Sequence, residues 1–187
     1  AFALECADRG YDILLTDINT EGLERVKNGI LRQYDVRVYT KPCDITDDSD
    51  VDSLIKYAKD VDIKLDMLLN VAGIDYEGGF AANSFDNIKE ILRVNIEATL
   101  RMTYKALSIR RKSGVFYIIF VSSLASMYPM PLKATYAASK RFLLDFSLAL
   151  GQELKRANVK VLALCPGGMP TKTSCIEAIK AQGFWGE

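Results

Sequence analysis

The stretch GVFYIIFVSS at residues 114–123 is the most continuous apolar run of the chain, and it decides the fold class. Its aromatic and β-branched residues predict a strand, and the run is too apolar to lie at an exposed edge. Strands that are buried on both faces belong to parallel sheets covered by helices. The chain is therefore predicted to be an α/β protein.

Helical and strand-like segments alternate on both sides of this run. Before it we expect helices at 1–10, 21–33 and 51–60, strands at 11–17, 36–40 and 65–74, and a long helix that begins at Asn83 or Ser84; after it we expect a helix at 135–156 and a strand at 159–168. Short turns between such segments call for right-handed βαβ crossovers. We predict a single three-layer α/β/α domain over residues 1–187.

The composition excludes several reaction classes. The 187 residues contain 24 Lys+Arg, 24 Asp+Glu and no His. Ser-His-Asp and Cys-His hydrolases, HExxH metalloproteases and His-ligated zinc sites all need an imidazole, so we predict no metal site. Proton chemistry near neutral pH would have to use another group.

Charge, hydropathy and cysteine spacing limit the partners and the compartment. Balanced charge argues against a nucleic-acid binder, and no apolar run approaches the roughly 20 residues of a membrane span. The four cysteines are Cys6, Cys43, Cys165 and Cys175, with no C-x-x-C pair. Scattered cysteines are typical of reduced thiols, so we expect a cytoplasmic protein that contacts neither nucleic acid nor membrane.

Polar residues follow the predicted strands where ligands bind in doubly wound sheets, beyond the carboxyl ends of the strands. They are Asp17, Asp44 with Ile45, Asn70 to Gly73, Ser122 with Ser123, and Pro166 to Thr171. We expect them to meet at one edge. Asp17 has the position at which a dinucleotide fold places an acid against the adenosine ribose, although a plain turn residue remains an open alternative.

Tyr136 and Lys140 share one face of the predicted helix at 135–156 because they are four residues apart. Free tyrosine titrates near pH ~10, and a nearby cation favours the phenolate. The pair can replace the missing imidazole. Taken alone, such a pair is far more often a tyrosine packed beside an exposed lysine.

Seven stretches in a fixed order change that balance: LLTDIN, CDITD, LLNVAGI, RVNIEATL, FVSSLAS, YAASK and CPGGMPT. With their spacing, the chain resembles the short-chain dehydrogenase/reductase family over essentially its whole length. The resemblance implies a Rossmann-type doubly wound parallel sheet that binds NAD or NADP. It also implies hydride transfer between a carbonyl and an alcohol.

The resemblance assigns four catalytic roles. Tyr136 would be the general acid/base, and Lys140 would favour its phenolate and hold the nicotinamide ribose. Ser123 would hydrogen-bond the substrate oxygen, and Asn95 would hold a water that relays protons. The implied cofactor-binding residues are Asp17, Asp44, Ile45, Asn70, Ala72, Gly73, Tyr136, Lys140, Pro166, Gly167, Met169 and Thr171.

Some assignments have a structural alternative. Asn95 could be a helix irregularity satisfied by the backbone, and Thr171 could only cap a following helix. We expect Ser122 to be strand-end structure, and Cys43 and Cys165 to be buried structural thiols. Tyr128 could contact substrate or cover a loop.

The chain departs from the family pattern in three places. The family's glycine-rich turn and first strand would precede Ala1, and the last strand and much of the substrate lobe would follow Trp185. The usual Asn-Asn-Ala-Gly reads Asn70-Val71-Ala72-Gly73. We expect a fragment trimmed at both ends, without its first and last strands, and inactive as these 187 residues.

We predict an NAD(P)-dependent oxidoreductase of a ketone or secondary alcohol. Asp17 followed by Ile18 favours NAD over NADP. Two alternatives remain, a non-enzymatic dinucleotide-binding regulator and a sugar-nucleotide epimerase or dehydratase. Apolar residues of the helix at 135–156, with the long helix around Asn95, predict a homodimer or homotetramer.

Overall fold

The computed structural model describes residues 1–167, in which helices alternate with parallel strands. The strands are β1 (Ile13–Leu15), β2 (Val38–Thr40), β3 (Met67–Asn70), β4 (Phe116–Val121) and β5 (Val159–Leu164). The helices are α1 (Phe2–Asp8), α2 (Thr20–Leu31), α3 (Asp48–Asp60), α4 (Phe85–Leu92), α5 (Thr99–Ala106) and α6 (Ala134–Glu153). A π-helix at Arg93–Ala98 separates α4 from α5, and short 3-10 turns lie at Leu107–Ile109, Leu124–Ser126 and Lys155–Ala157. The predicted α/β class is confirmed.

The described residues form two compact units. The first contains Ala1–Leu65 and Ala98–Arg110, and the second contains Asp66–Glu97 and the described residues from Arg111 onward. Each unit has its own parallel sheet. A single domain over residues 1–187 stays a prediction.

In the first unit, β1 pairs with β2 in parallel, with Ile13 opposite Val38. Its helices begin where the sequence supplies capping side chains. Asn19 Oδ1 accepts a 2.8 Å hydrogen bond from the Gly22 N–H at the start of α2. The cap of α3 is Asp47, whose side chain accepts from the N–H groups of Ser49 and Asp50.

Side chains from α3 and α5 make a small apolar core in the first unit. Buried Val51, Leu54 and Met102 pack with Cys43. Cys43 is thus the buried thiol that the sequence predicts, and burial raises its pKa. An unreactive, packed cysteine follows from this environment.

The second unit is built on a sheet in the order β3-β4-β5. Strand β4 is the central one, and Phe116, Ile118 and Phe120 on one of its faces are completely or almost completely buried. The Phe120 ring meets the Phe146 ring of α6 edge to face at 5.8 Å. The prediction that residues 114–123 supply a buried central strand is confirmed.

Helix α6 packs beside this sheet and carries the candidate catalytic pair. It is 20 residues long and holds several charged residues. Among residues 1–167 there is no helix with both the length and the apolar character that a bilayer crossing needs.

The register of the second sheet brings three strand ends together. Asn70, the last residue of β3, lies opposite Phe120 of β4. The Ser122 N–H then donates to the Leu164 carbonyl at 2.8 Å, next to Cys165 and Pro166. The residues that follow β3, β4 and β5 therefore share one edge, as expected for parallel strands.

Candidate active site

Tyr136 and Lys140 lie about one helical turn apart on α6. Lys140 Nζ is 5.7 Å from the centroid of the Tyr136 ring. The ring is half-buried, and within residues 1–167 its hydroxyl has no hydrogen-bond partner. The phenol therefore lies beside a cation and remains available to a ligand.

Lys140 is a buried charge, with only 4% of its surface exposed. Burial lowers the pKa of Lys140 from 10.5 to about 8, although the nearby carboxylate of Asp75 acts in the opposite direction. Its Nζ donates to the Val121 carbonyl at 3.0 Å. An ammonium has three donors, and Val121 is its one hydrogen-bond partner in the described chain. Two donors are therefore left for a ligand.

The backbone at Gly73 comes so close to Lys140 that a side chain there would require the ammonium or the turn to shift. A Cβ there would lie 2.9 Å from Lys140 Nζ and 3.2 Å from Asn95 Oδ1. Without that Cβ, the ammonium stays open toward the turn after β3. The residues present thus fit a polar ligand such as the expected dinucleotide, which could reach Lys140 past Gly73.

Asn95 is completely buried inside the π-helix. Its Oδ1 accepts from the Ile74 N–H at 2.8 Å, and its Nδ2 donates to the Ile74 carbonyl at 2.9 Å and to Ser139 Oγ at 3.0 Å. Both amide donors are therefore used, one by the Ile74 backbone and the other by the Ser139 hydroxyl. Ser139 Oγ in turn donates to the Tyr136 carbonyl at 2.7 Å, which connects Asn95 to the start of α6.

The two serines after β4 differ in their environment. Buried Ser122 donates through its hydroxyl to the Lys140 carbonyl at 2.7 Å, so it is part of the strand-to-helix packing, as predicted. Ser123 is only partly buried, and its Oγ accepts from the Ala125 N–H at 3.1 Å. That hydrogen bond leaves the Ser123 O–H free to donate to a ligand.

Asp17 lies in the first unit, two residues after the end of β1. It is exposed, and its Oδ1 accepts from the Asn19 N–H at 2.9 Å. Its carbonyl accepts from the Cys43 N–H at 3.1 Å, so Asp17 and the residues after β2 are neighbours. The turn role that the sequence left open is real, and Oδ2 makes no contact within residues 1–167 that would prevent ligand binding.

Asp44 and Ile45 occupy a tight turn after β2. Asp44 Oδ1 accepts from the N–H and the hydroxyl of Thr46 at 2.8 and 2.7 Å. The Ile45 side chain packs on the apolar core of the first unit, and its carbonyl accepts from Arg101 at 3.2 Å. This bonding fixes the backbone of the turn.

The remaining predicted residues lie on loops or outside the described chain. Ala72 is exposed, and the Pro166 carbonyl accepts from the Leu124 N–H at 2.8 Å. Gly167 and Tyr128 are exposed, with no packing that assigns either a role. Met169 and Thr171 lie outside the residues that the structure describes.

The sequence interpretation missed an ion-pair cluster beside Tyr136. Lys133 Nζ contacts Asp75 and lies 2.8 Å from Glu77 Oε2. The same Nζ is 5.8 Å from the centroid of the Tyr136 ring. A lysine three residues before Tyr136 and two acids after Gly73 were visible in the sequence, but nothing local linked them.

Comparison with known proteins identifies the family to which this chain is similar. Residues 1–179 match the family model described as short chain dehydrogenase. A very-long-chain 3-oxoacyl-CoA reductase of Phaeosphaeria nodorum is 32% identical over 86% of this chain and 48% of its own length. One of Anas platyrhynchos is 32% identical over 94% of this chain and 57% of its own length. The chain thus spans about half the length of the curated relatives it matches.

A solved structure shows the same fold. The NAD+-bound xylitol dehydrogenase superposes with a TM-score of 0.86 at 24% identity, over 99% of this chain and 71% of that one. The predicted Rossmann-type fold is confirmed by this likeness. Together with the family match over nearly the whole sequence, it shows that the chain belongs to the short-chain dehydrogenase family.

Proposed function

We propose that the protein is an NAD(P)-dependent oxidoreductase that interconverts a ketone and a secondary alcohol. The observation that carries the proposal is the Tyr136 hydroxyl, which has no protein partner in the described chain and lies beside the buried ammonium of Lys140. A sensor that only binds a dinucleotide needs no unpaired phenol beside a buried cation. Family membership and the reductase names of the relatives support the same conclusion.

Three side chains act on the substrate oxygen in this proposal. When bound, the nicotinamide supplies the hydride for reduction and accepts it in oxidation. Tyr136 protonates the carbonyl oxygen as charge develops there, and Lys140 stabilises the phenolate that remains. Ser123 donates a hydrogen bond to the same oxygen through its hydroxyl.

Asn95 acts on proton return rather than on the substrate. Both of its side-chain donors are engaged with Ile74 and Ser139. A π-helix interrupts the regular hydrogen-bond ladder of its helix, so a backbone carbonyl there can accept from water. In the proposal this water passes protons between Lys140 and solvent.

Each residue proposed to hold the cofactor is assigned by the family resemblance. Lys140 and Tyr136 would bind the nicotinamide ribose, Asp17 the adenosine ribose, and Asp44 and Ile45 the adenine. The other proposed contacts are Asn70, Ala72, Gly73, Pro166, Gly167, Met169 and Thr171. Asp17 would accept both ribose hydroxyls and repel a 2′-phosphate, and Ile18 supplies no positive charge for one, so the preferred cofactor is NAD.

The proposed substrate class is a ketone on an apolar chain, such as a 3-oxoacyl thioester. Leu124, Met127 and Leu132 lie on the segment that joins Ser123 to Tyr136, and all three are about half exposed. Exposed apolar side chains concentrated beside a site are typical of apolar ligands. The relatives named 3-oxoacyl-CoA reductases supply the class of thioester to try.

The test is turnover by the full-length protein with NADH or NADPH and a panel of 3-oxoacyl thioesters and small ketones. We expect faster turnover with NADH and longer acyl chains. Tyr136→Phe should lower kcat by roughly 10²–10⁴-fold while cofactor binding is retained, because only the proton donor is lost. Tyr11→Phe, at an exposed position of the first unit, is the control and should leave kcat unchanged.

Two outcomes would contradict the proposal. Cofactor binding without turnover of any ketone or alcohol would favour the regulator. Turnover of a sugar nucleotide with no net change in NADH would favour the epimerase or dehydratase.

A further inference from the structure

Lys133 joins two segments that lie far apart in the sequence. Its Nζ binds Asp75 and Glu77, which follow β3, whereas Lys133 itself directly precedes α6. The side chains of Lys133 and Asp75 are about three-quarters buried, at 24% and 25% exposed. Burial acts to lower the pKa of Lys133, but its hydrogen bonds with Asp75 and Glu77 outweigh burial and raise it. The ammonium is therefore held as an ion between two carboxylates.

A backbone contact joins the same two segments independently. The Gly78 N–H donates to the Leu132 carbonyl at 2.8 Å. Leu132 has a φ of +65°, a left-handed conformation that is strained for a bulky residue. Such strain persists only where surrounding contacts enforce it. The ion pairs of Lys133 and the Gly78 hydrogen bond are contacts of that kind.

The joined segments form the walls of a cleft next to Tyr136. The cleft is lined by Tyr76, Phe80, Ile88, Ile91, Leu132 and Tyr136, among others. Asn83 supports its far side by donating from Nδ2 to the Tyr76 carbonyl at 3.0 Å. The lining thus combines apolar side chains with the phenol of Tyr136 and the ammonium of Lys133.

We infer that Lys133 is a positioning residue which, through Asp75 and Glu77, holds residues 74–83 against the start of α6 and so sets the place of the Tyr136 ring in the substrate cleft. The inference rests on the proposed function for its effect on catalysis. The contact itself lies wholly within the second unit.

The charges around Tyr136 give the inference an electrostatic consequence. Lys140 and Lys133 flank its ring at 5.7 and 5.8 Å. Asp75 and Glu77, on the loop after β3, pair with Lys133. On α4, Glu90 is engaged with the Tyr76 hydroxyl. Removing the Lys133 charge leaves these two carboxylates without that partner and makes the surroundings of the Tyr136 ring more negative.

The first test compares Lys133→Met and Lys133→Arg in the full-length protein. Lys133→Met should lower kcat by roughly tenfold or more, since small displacements of a reacting group have effects of this size. Its profile of alcohol oxidation against pH should move to higher pH. Lys133→Arg keeps both ion pairs and should restore the kcat and the profile of the wild-type protein.

Lys89→Met is the matched control. Lys89 also pairs with an acid, Asp86, at 2.7 Å and also lies over an aromatic ring, that of Phe85, at 5.5 Å. This pair is exposed and does not line the cleft beside Tyr136. Its loss should therefore change neither kcat nor the pH profile. A Lys133→Met protein that matches wild type in kcat, KM and pH profile would overturn the inference and leave the proposed function standing.

A second measurement does not depend on turnover. Hydrogen exchange of the backbone amides of residues 74–83 should be faster in Lys133→Met and in Asp75→Asn than in wild type or Lys89→Met. If the wild-type protein turns over no substrate, the proposed function fails, and the exchange rates still decide whether Lys133 holds this segment. Unchanged exchange in both variants would overturn the inference.

Discussion

At the scale of single residues, the buried ammonium of Lys140 lowers the stability of the folded protein. Its pKa in the folded protein is about 8 against 10.5 for an ordinary lysine. Below pH 8 the folded and unfolded chains both carry the charge, so the folded state bears the full cost of burying it. That cost is relieved as pH rises from about 8 to about 10.5, where the unfolded state binds more protons than the folded one.

Lys140→Met is therefore predicted to stabilise the protein at neutral pH while it abolishes turnover. The depressed pKa corresponds to about 3 kcal/mol, from which about 1 kcal/mol is lost with the hydrogen bond to Val121. We expect urea unfolding at pH 7 to show a gain of about 2 kcal/mol. The gain should disappear near pH 10.5, where the amine is neutral in both states.

The control for this prediction is again Lys89→Met, at an exposed lysine. Its stability relative to wild type should not vary between the two pH values. A gain for Lys140→Met that stays constant with pH would show that Lys140 is not buried as an ion.

At the scale of elements, sequence periodicity and capping residues located the helices and strands well. The helix expected at 21–33 is Thr20–Leu31 with the cap Asn19, and the long helix does begin after Ser84. Strands were shorter than expected, since 65–74 contains only Met67–Asn70. A strand extends only as far as its backbone pairs with a neighbouring strand. The length of that neighbour cannot be deduced from the local sequence.

At the candidate site, contacts between residues that are far apart in the sequence could not be predicted. Lys133 and Asp75 are 58 residues apart, and their pairing depends on where two loops meet after folding. The sequence left a helix irregularity at Asn95 open, but its π-helical form could not be predicted because the residues have ordinary helical periodicity. The proximity of Tyr136 and Lys140 could be predicted, because the two residues lie about one helix turn apart.

The turn after β3 supplies a prediction at this scale. Gly73→Ala places a Cβ 2.9 Å from Lys140 Nζ, so the ammonium or the turn must move. We expect kcat/KM to fall by roughly tenfold or more and the free energy of unfolding to fall by about 1–3 kcal/mol. Steady-state kinetics and urea unfolding measure the two effects.

Gly29→Ala is the matched substitution, since a Cβ at that position of α2 meets nothing within 4 Å. It should leave kcat/KM unchanged and raise stability by roughly 0.5–1 kcal/mol, because alanine favours the helix. Equal effects of the two substitutions would show that the approach of Gly73 to Lys140 is unimportant.

At the scale of the whole molecule, helix α6 has an exposed face on which apolar side chains flank the ion pair of Arg141 and Asp145. Leu143 is buried, but Phe142 and Leu148 are 39% and 63% exposed. We predict that this face pairs with a second copy, as part of a homodimer or homotetramer held by the two long helices. Apolar residues on a packed helix face are typical of such interfaces.

Light scattering on the full-length protein measures this prediction directly. We expect a dimeric or tetrameric mass, and a smaller mass for the double variant Phe142→Asp, Leu148→Asp, since a buried charge would oppose association. Val26→Asp, at an exposed apolar position of α2, should leave the mass unchanged. A wild-type monomer would contradict the prediction.

The π-helix at Arg93–Ala98 also has a consequence for insertions and deletions. A π-helical turn holds one residue more than an α-helical turn, so deleting one residue there would leave a regular, continuous helix with good local propensity. Each helical residue turns the chain by about 100°, however, and the deletion would rotate every side chain beyond it by that angle. Circular dichroism would record an intact helix, while Asn95 would lose its place opposite Ile74 and Ser139. The number of residues in this helix, and not only their identity, thus determines which side chains meet Ile74 and Ser139.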